Sequence, residues 1–277
     1  MNDDEAQRAL VKSATEVGVQ IAKDVYGDTF KGSMKAVGEI LYGVLVPFET
    51  LAKAWNGVWR QFQAALTHKL KNVPAENIRE PPKNIAYPLL QAYPFTEDEP
   101  ELRDLFEQLL ASSMNSATVE ECHPAFVEML KQLTGDDARI MRAFQHEEAF
   151  TLIEVLSAER PPDDSPPARL QLAERGPHKT VGHLFDPRLL ALVQRRKPIA
   201  VQRCIDNLER LGLLAADMMR TLEDEAYREI YKTDEYKAIE AAHATGPRFL
   251  IKPNRGYVYR SALGSDFVTT CIGPSSD

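Results

Sequence analysis

Cysteine is scarce in this sequence. Its 277 residues include three cysteines, and their odd number and wide spacing exclude a disulfide framework as the basis of the fold. Such sparse use is typical of a reducing compartment. Residues 1–5 are acidic and are not followed by the basic start, apolar run and cleavage site of a secretory leader. We therefore expect a cytoplasmic protein, with a peripheral position at the inner membrane as the alternative. The cysteines, which we expect to be buried, are Cys122, Cys204 and Cys271.

The sequence also lacks the motifs of common catalytic sites. It contains no glycine-rich phosphate loop, no GxSxG elbow and no HExxH pair. His178, His183 and Asp186 could surround a metal only if a loop of unknown shape brought them together. Cys122 and His123 are adjacent, and adjacent side chains rarely face each other, so we expect His123 to cap a helix or to satisfy a buried carbonyl group. We expect no enzymatic activity, no metal and no cofactor.

Basic residues are outnumbered. The chain has 33 Lys and Arg against 41 Asp and Glu, which gives a formal net charge of −8. A protein that coats nucleic acid without sequence preference needs a basic excess, so that class is disfavoured, whereas a local basic surface stays open. The contents of 44% hydrophobic and 27% charged residues are typical of a globular protein, and the length allows two modest domains.

No apolar run is long enough to cross a membrane unaided. The most hydrophobic window is residues 37–48, and its uncharged part is residues 40–48, whereas a bilayer span needs ~20 apolar residues. One interpretation is a buried core helix. The other is a helix that inserts into a membrane or oligomerises after a trigger, together with the aromatic face of the next helix. The candidate membrane or partner contacts are Leu41, Leu45, Phe48, Trp55 and Trp59.

The clearest signals for where helices start and stop lie between residues 81 and 133. Pro81 and Pro82 prevent a helix from running through them. Apolar residues then recur at helical spacing and predict three short helices. These helices lie near residues 84–93, 97–114 and 124–133. Thr96 stands three residues before Glu99, the spacing of a capping box, so we expect Thr96 to cap the second helix.

An ordered series of short sequence motifs, which begins in this region, resembles a known family. The motifs are PP at 81–82, ELRDLF at 101–106, LLASSMN at 109–115, HPAFVE at 123–128, LKQL at 130–133, DA at 137–138 and IDNLERLGLL at 205–214. They resemble the Abi-alpha family, a group of bacterial proteins linked by name to abortive infection of phage-infected cells. The resemblance covers most of residues 35–215. It implies a setting in phage defence and brings no established catalytic residue.

Residues 134–277 mix helix and strand signals. Helices are predicted near residues 134–144, near 187–193 with Asp186 as the N-cap, at 198–211 closed by Gly212, and at 221–243, where the helix is charged and largely solvated. Strands are predicted at residues 150–156, 248–251, 256–259 and 266–272, the later ones joined by turns at 253–256 and 263–265. A proline-rich, exposed connection is predicted at residues 160–177.

This order of helices and strands resembles a winged helix. We predict a mainly α protein in which an N-terminal helical region, residues 1–133, packs on a C-terminal winged-helix-like α+β domain with a β-hairpin, residues 134–277. The N-terminal region combines apolar helices at 36–70 with the Pro-Pro-led unit at 81–133. The C-terminal domain carries the Pro-rich loop 160–177 and the charged helix 221–243 as an insertion.

Basic residues crowd the two helices around residue 195. A helix that enters the major groove reaches base edges with its N-terminal residues, so these side chains could contact nucleic acid. The alternative is a solvated basic face that pairs with the acidic residues 223–225. The candidate nucleic-acid contacts are Arg195, Arg196, Lys197 and Arg203, with Arg188 and Arg210 nearby.

These observations favour a non-enzymatic, anti-phage defence protein of the abortive-infection type. We expect it to act through protein contacts or a triggered conformational change, with membrane association as a conditional step. Its partner would be an unidentified protein or a second copy of the chain. The alternative function is a winged-helix regulator that binds DNA.

Overall fold

The computed structural model describes residues 56–159, 179–244 and 249–273. These form two compact units by their contacts. The described residues up to Gly135, together with those from Asp266 onward, make the first unit, and Asp136–Ser265 contains the second. The described residues are mostly helical, with one small antiparallel sheet, so the prediction of a mainly α protein is confirmed. Residues 266–273 belong to the first unit, although the sequence analysis assigned them to the C-terminal domain.

The first unit is built from short helices in the described residues. Its α-helices are α1, Asn56–Leu70; α2, Lys83–Ala92; α3, Pro100–Ser113; and α4, Ala125–Leu130. Three 3-10 turns join them, at Ala75–Asn77, Tyr93–Thr96 and Val119–Glu121. The three helices predicted between residues 81 and 133 are therefore confirmed, and Pro88 lies inside α2.

Helix α3 supplies much of the core of this unit. Leu105, Phe106 and Leu109 are at most 1% exposed, and they recur at the spacing that places side chains on one helical face. Phe62 of α1 packs on the ring of Tyr93, with the ring centroids 4.5 Å apart. The burial of these side chains from water is the main stabilising term for such a helical unit.

The capping box predicted for α3 is wrong. Glu99 is the N-cap residue and Pro100 is the first helical residue. The Thr96 hydroxyl instead donates a hydrogen bond to the backbone carbonyl of Tyr93, over 2.7 Å. The physical reason is Pro100, because its missing amide hydrogen and fixed φ angle are best accommodated in the first helical turn.

The second unit contains a four-stranded antiparallel sheet. The strands are β1, Ala149–Glu159; β2, Lys179–Phe185; β3, Leu214–Asp217; and β4, Phe249–Arg260, in the spatial order β2-β1-β4-β3. The strand predicted at residues 150–156 is confirmed within β1. Residues 160–177, predicted as a proline-rich connection, lie outside the described residues.

The β-hairpin predicted after residue 247 is wrong. Residues 249–260 form the single strand β4, without a turn at 253–256. Pro253 is tolerated because β3 pairs only with residues 257–260, so at Pro253 the strand borders β1 alone in the described part of the chain. Gly256 serves close packing, since a Cβ atom there would lie 2.5 Å from the carbonyl oxygen of Asp217.

The strand predicted at residues 266–272 is also wrong. These residues continue α10, Ala262–Phe267, into a π-helix, Val268–Ile272. Their β-branched composition favours a strand, but Phe267 packs edge-on against Phe126, with centroids 5.6 Å apart. In addition, the Ser112 hydroxyl donates to the backbone carbonyl of Thr270 over 2.8 Å. Tertiary packing therefore overrides the local preference.

The single charged helix predicted at residues 221–243 is three segments. They are a 3-10 turn, Asp224–Tyr227; α8, Arg228–Lys232; and α9, Asp234–Ala244. Tyr227 and Ile230 are fully buried in a cluster with Ile153, Val155 and Leu184 of the sheet, so this region is not simply solvated. The apolar side chains dock on the sheet while the acidic ones stay outside, and a break at residue 233 permits both.

The remaining helices of this unit follow their local signals. They are α5, Gly135–Ala143; α6, Pro187–Leu192; and α7, Pro198–Arg210. Asp186 caps α6 by accepting a hydrogen bond from the Arg188 amide over 2.9 Å, as predicted. Gly212 follows α7 with φ of 74°, and the Leu213 amide bonds back to the Leu208 carbonyl. This is the glycine-ended helix terminus that the sequence predicts.

Candidate functional site

The second unit presents α6 and α7 as two short helices joined by a tight turn. Residues 194–197 of this turn are exposed, whereas Val193 is buried beneath them. Helix α7 then buries Val201, Ile205 and Leu208 and leaves its opposite face in solvent. The turn and the solvent face of α7 are therefore available to a partner of this chain.

Four basic side chains share this exposed region, and we call them the basic surface: Arg195, Arg196, Lys197 and Arg203. None of the four forms an ion pair with a carboxylate of the described residues. Arg188 differs, because it pairs with Asp186 and Glu147 and its guanidinium lies 4.9 Å from the centroid of the Phe150 ring. The structure thus brings the four predicted nucleic-acid contacts into one exposed, uncompensated group.

Two of the three acidic residues proposed as alternative partners, Asp224 and Glu225, are engaged elsewhere. Asp224 pairs with Arg255 and Glu225 pairs with Arg228, each at 2.5 Å. Arg255 also donates to the hydroxyl of Tyr231 over 2.8 Å. Asp224 and Glu225 therefore do not neutralise the basic surface, which keeps its positive charge available to an external anion.

Arg196 has an unusual backbone conformation. Its φ angle is 44°, in the left-handed region that residues other than glycine rarely adopt. Its amide donates to the carbonyl of Val193 over 3.1 Å, which closes the turn. Strained residues of this kind persist where surrounding contacts impose the conformation, and they cluster at functional sites.

One neighbour of the basic surface escaped the sequence analysis. Ile199 lies in the first turn of α7 and is 56% exposed. The signal was available, because Ile199 is out of phase with Val201 and Ile205, which carry the buried face. Asp206 follows on the same exposed side and accepts a hydrogen bond from Gln202 over 2.6 Å. The site therefore combines four cations with one apolar contact and one acid.

The two described members of the candidate metal set, His183 and Asp186, are each engaged elsewhere. His178 lies outside the described residues, and Asp186 is occupied by the α6 cap and by Arg188. His183 instead faces Glu154 of the neighbouring strand, with 4.0 Å between Nε2 and Oε1. Within the described ranges, no group of three or more His, Cys, Asp or Glu side chains is arranged to hold a metal ion.

Cys122 and His123 do not form a nucleophile and base. The Nδ1 atom of His123 accepts a hydrogen bond from the Ala125 amide over 3.1 Å, so the histidine caps the start of α4, one of its two expected roles. Burial raises the pKa of the Cys122 thiol to about 12. Burial likewise raises the pKa of Cys204 and Cys271, and all three cysteines are buried as expected.

The predicted membrane or partner contacts lie between residues 41 and 59 of the sequence. Leu41, Leu45, Phe48 and Trp55 lie outside the described residues, and Trp59 falls within α1. Across the part of the chain that is described, every helix is too short or too polar to traverse a bilayer.

The family is established by comparison with known proteins. The family model described as Abortive infection alpha matches residues 55–271, which is most of the chain. This protein therefore belongs to the Abortive infection alpha family, as its sequence motifs indicate. The family's name associates it with abortive infection.

Other similarities are remote. No curated protein sequence shows significant similarity to this chain. One solved structure, of an uncharacterized protein from the hydrocarbon-degrading marine bacterium Alcanivorax borkumensis SK2, is 19% identical, with 57% of this chain and 96% of that chain covered. Its TM-score of 0.33 is too low to support any inference about fold or function.

Proposed function

We propose that this protein is a non-enzymatic bacterial defence protein of the abortive-infection type, and that it acts by binding a partner. Its family membership supports the biological setting. The engagement of its reactive groups supports binding rather than catalysis. The cysteine thiols are buried, His123 caps a helix, and the Tyr93 hydroxyl donates to the Glu107 carboxylate over 2.6 Å.

The observation that carries this proposal is the uncompensated basic surface on the α6–α7 turn. Exposed cations elsewhere on this unit are paired with nearby acids, as Arg228 and Lys232 are with Glu225 and Glu229. Four unpaired cations around a strained turn instead provide a binding site for an anionic partner. An acidic surface on another protein is an anionic partner of this kind, and we place protein binding first.

The second candidate function is DNA binding through a winged-helix-like unit. The order α5, β1, α6, α7, β3 and β4 supports it, since this is helix, strand, two helices and two paired strands. In this interpretation α7 is the recognition helix, and β2 and the segments 224–244 are additions to the basic pattern. A net charge of −8 disfavours phosphate contact over the whole surface, so a local basic surface is the expected place for such contact.

The cytoplasmic location and a conditional membrane step are also part of the proposal. The membrane step depends on the apolar window at residues 37–48, whose hydrophobicity exceeds the needs of a small surface helix. The cytoplasmic location is inferred from the few, widely spaced cysteines. Leakage of vesicles by the purified full chain, before and after mixing with phage lysate, tests this step. If the vesicles stay intact while cells that make the protein still stop growing, the window belongs to the protein core.

The defining experiment compares phage protection by wild-type protein and two matched fourfold alanine variants. The first variant replaces the basic surface. The control replaces four exposed cations that each have an acidic partner, and so removes the same charge: Lys131, Arg220, Arg228 and Lys232. We expect protection by wild type and control and loss in the basic-surface variant. Equal protection by all three would reject the basic surface as the site, and absence of protection by wild type would reject the defence role.

Duplex binding against salt concentration separates the two candidates. Each phosphate contact contributes about 0.9 to the slope of log K against log salt. If DNA is the partner, the basic-surface variant lowers the slope by up to about 3.6, and the control leaves it unchanged. If the partner is an acidic protein, wild type shows no measurable duplex binding at low salt while phage protection still depends on the basic surface.

A further inference from the structure

The first turn of α5 holds the turn that carries the basic surface. Asp136 accepts a hydrogen bond at Oδ1 from the backbone amide of Gln194, over 3.1 Å. Gln194 immediately precedes the basic residues, although Asp136 is 58 positions away in the chain. Asp136 is therefore placed to fix the start of the basic turn.

Arg139 secures the other side of the same turn. Its Nε donates to the carbonyl oxygen of Leu192 over 2.7 Å, and its guanidinium also pairs with Asp136. The carbonyl of Leu192 ends α6 and the amide of Gln194 follows two residues later. Asp136 and Arg139 thus satisfy a backbone acceptor and a backbone donor on either side of the buried Val193.

The fixed segment leads directly into the strained one. The Val193 carbonyl accepts from the amide of Arg196, whose φ of 44° requires support from its surroundings. A turn held at Leu192, Val193 and Gln194 supplies that support. Preorganised side chains lose less freedom on binding, so a fixed turn binds an anionic partner more tightly than a loose one.

We propose that Asp136 and Arg139 are positioning residues that hold residues 192–197 in the conformation that presents the basic surface to nucleic-acid phosphates. This rests on the second proposed function, DNA binding. It has a counterintuitive consequence for Asp136, which is an acid close to a site for polyanions. Its charge alone opposes phosphate binding, so its removal should strengthen binding electrostatically, whereas its positioning role requires that removal weaken binding.

The test compares Asp136→Ala and Asp136→Asn in the full chain. Both variants remove the negative charge, but the asparagine keeps an Oδ1 acceptor for the Gln194 amide. The ligand is a short fluorescein-labelled DNA duplex, followed by anisotropy at low salt. We expect Asp136→Ala to weaken binding about tenfold, the scale of ordering one or two long side chains, and Asp136→Asn to bind at least as well as wild type.

A second measurement does not depend on DNA. Hydrogen exchange of the Gln194 amide, followed by NMR, should accelerate in Asp136→Ala and remain slow in Asp136→Asn. If wild type fails to bind the duplex, the DNA function fails, and this exchange difference alone decides whether Asp136 positions the turn. Unchanged exchange in Asp136→Ala, or duplex binding by that variant as tight as wild type, would overturn the proposal. Equal weakening by both variants would overturn it too, because the Oδ1 acceptor that asparagine keeps for the Gln194 amide would then make no difference.

Discussion

Replacement of Asp186 by alanine tests how the second unit is held together. The Asp186 side chain is 9% exposed and caps α6 through the Arg188 amide. It also accepts from the Arg188 guanidinium at 3.1 Å from Nε and 3.0 Å from Nη2. These hydrogen bonds are the largest cause of the raised pKa of Arg188. One carboxylate therefore ties a helix start to a cation.

The expected loss of stability follows from these contacts. An N-cap contributes about 1 kcal/mol, and charged hydrogen bonds from the half-exposed Arg188 contribute about 1–2 kcal/mol after discounting for solvent screening. Asp186→Ala should therefore destabilise the second unit by about 2–3 kcal/mol. Asp186→Asn keeps the cap oxygen and should cost about half as much. Glu147→Ala, which removes the exposed partner of Arg188, should cost less than about 0.5 kcal/mol.

The assay must report on the second unit. Both tryptophans, Trp55 and Trp59, precede it in the sequence, so tryptophan fluorescence is unsuitable. Native-state hydrogen exchange of the slowest amides in β1 and α7 gives its opening free energy directly. The reasoning is refuted if Asp186→Ala and Glu147→Ala lower this free energy equally, because burial would then add nothing to the shared interaction with Arg188.

Three further predictions concern packing and titration. Gly264→Ala should destabilise the protein by more than about 2 kcal/mol in urea unfolding, because its Cβ would lie 1.9 Å from the Leu213 carbonyl oxygen. The control Gly182→Ala should be nearly neutral, because its Cβ would meet nothing within 4 Å. Equal losses of stability in the two variants would contradict this account of the packing. The three buried cysteines should resist an aromatic disulfide reagent at neutral pH and react after denaturation, so rapid labelling of the folded chain would contradict their raised pKa. Burial raises the pKa of Glu107, so the folded state binds its proton more tightly and stability falls as pH rises through that pKa. Glu107→Gln keeps an acceptor for the Tyr93 hydroxyl and should flatten this fall in stability from pH 4.5 upward, whereas a pH profile identical to wild type would refute the assignment.

Local signals in the sequence determined much of the helical architecture. Pro187 and Pro198 begin α6 and α7, and Gly212 ends α7. Asp186 caps α6 as expected. These features depend on one or two turns of backbone, where a missing amide, a fixed φ angle or a tolerated positive φ acts without help from distant residues.

Tertiary contacts decided the C-terminal secondary structure. Pro253 and Gly256 favour a turn in the sequence, yet both lie within β4. Pro253 is tolerated because, in the described residues, only β1 borders the strand there. Gly256 fits because the backbone of Asp217 lies too close for a side chain. Residues 266–272 have a strand-like composition, yet they are helical because they pack against α3 and Phe126. Composition cannot reveal such contacts, since the partners are far away in the chain.

The candidate site divides in the same way. Three of its cations are consecutive, Arg195, Arg196 and Lys197, so their clustering was visible in the sequence. Their lack of acidic partners was not, because it depends on Asp224 and Glu225 pairing with other arginines. The anchoring of the turn by α5 was also hidden, since a carboxylate and an amide 58 residues apart meet only when the two helices fold against each other.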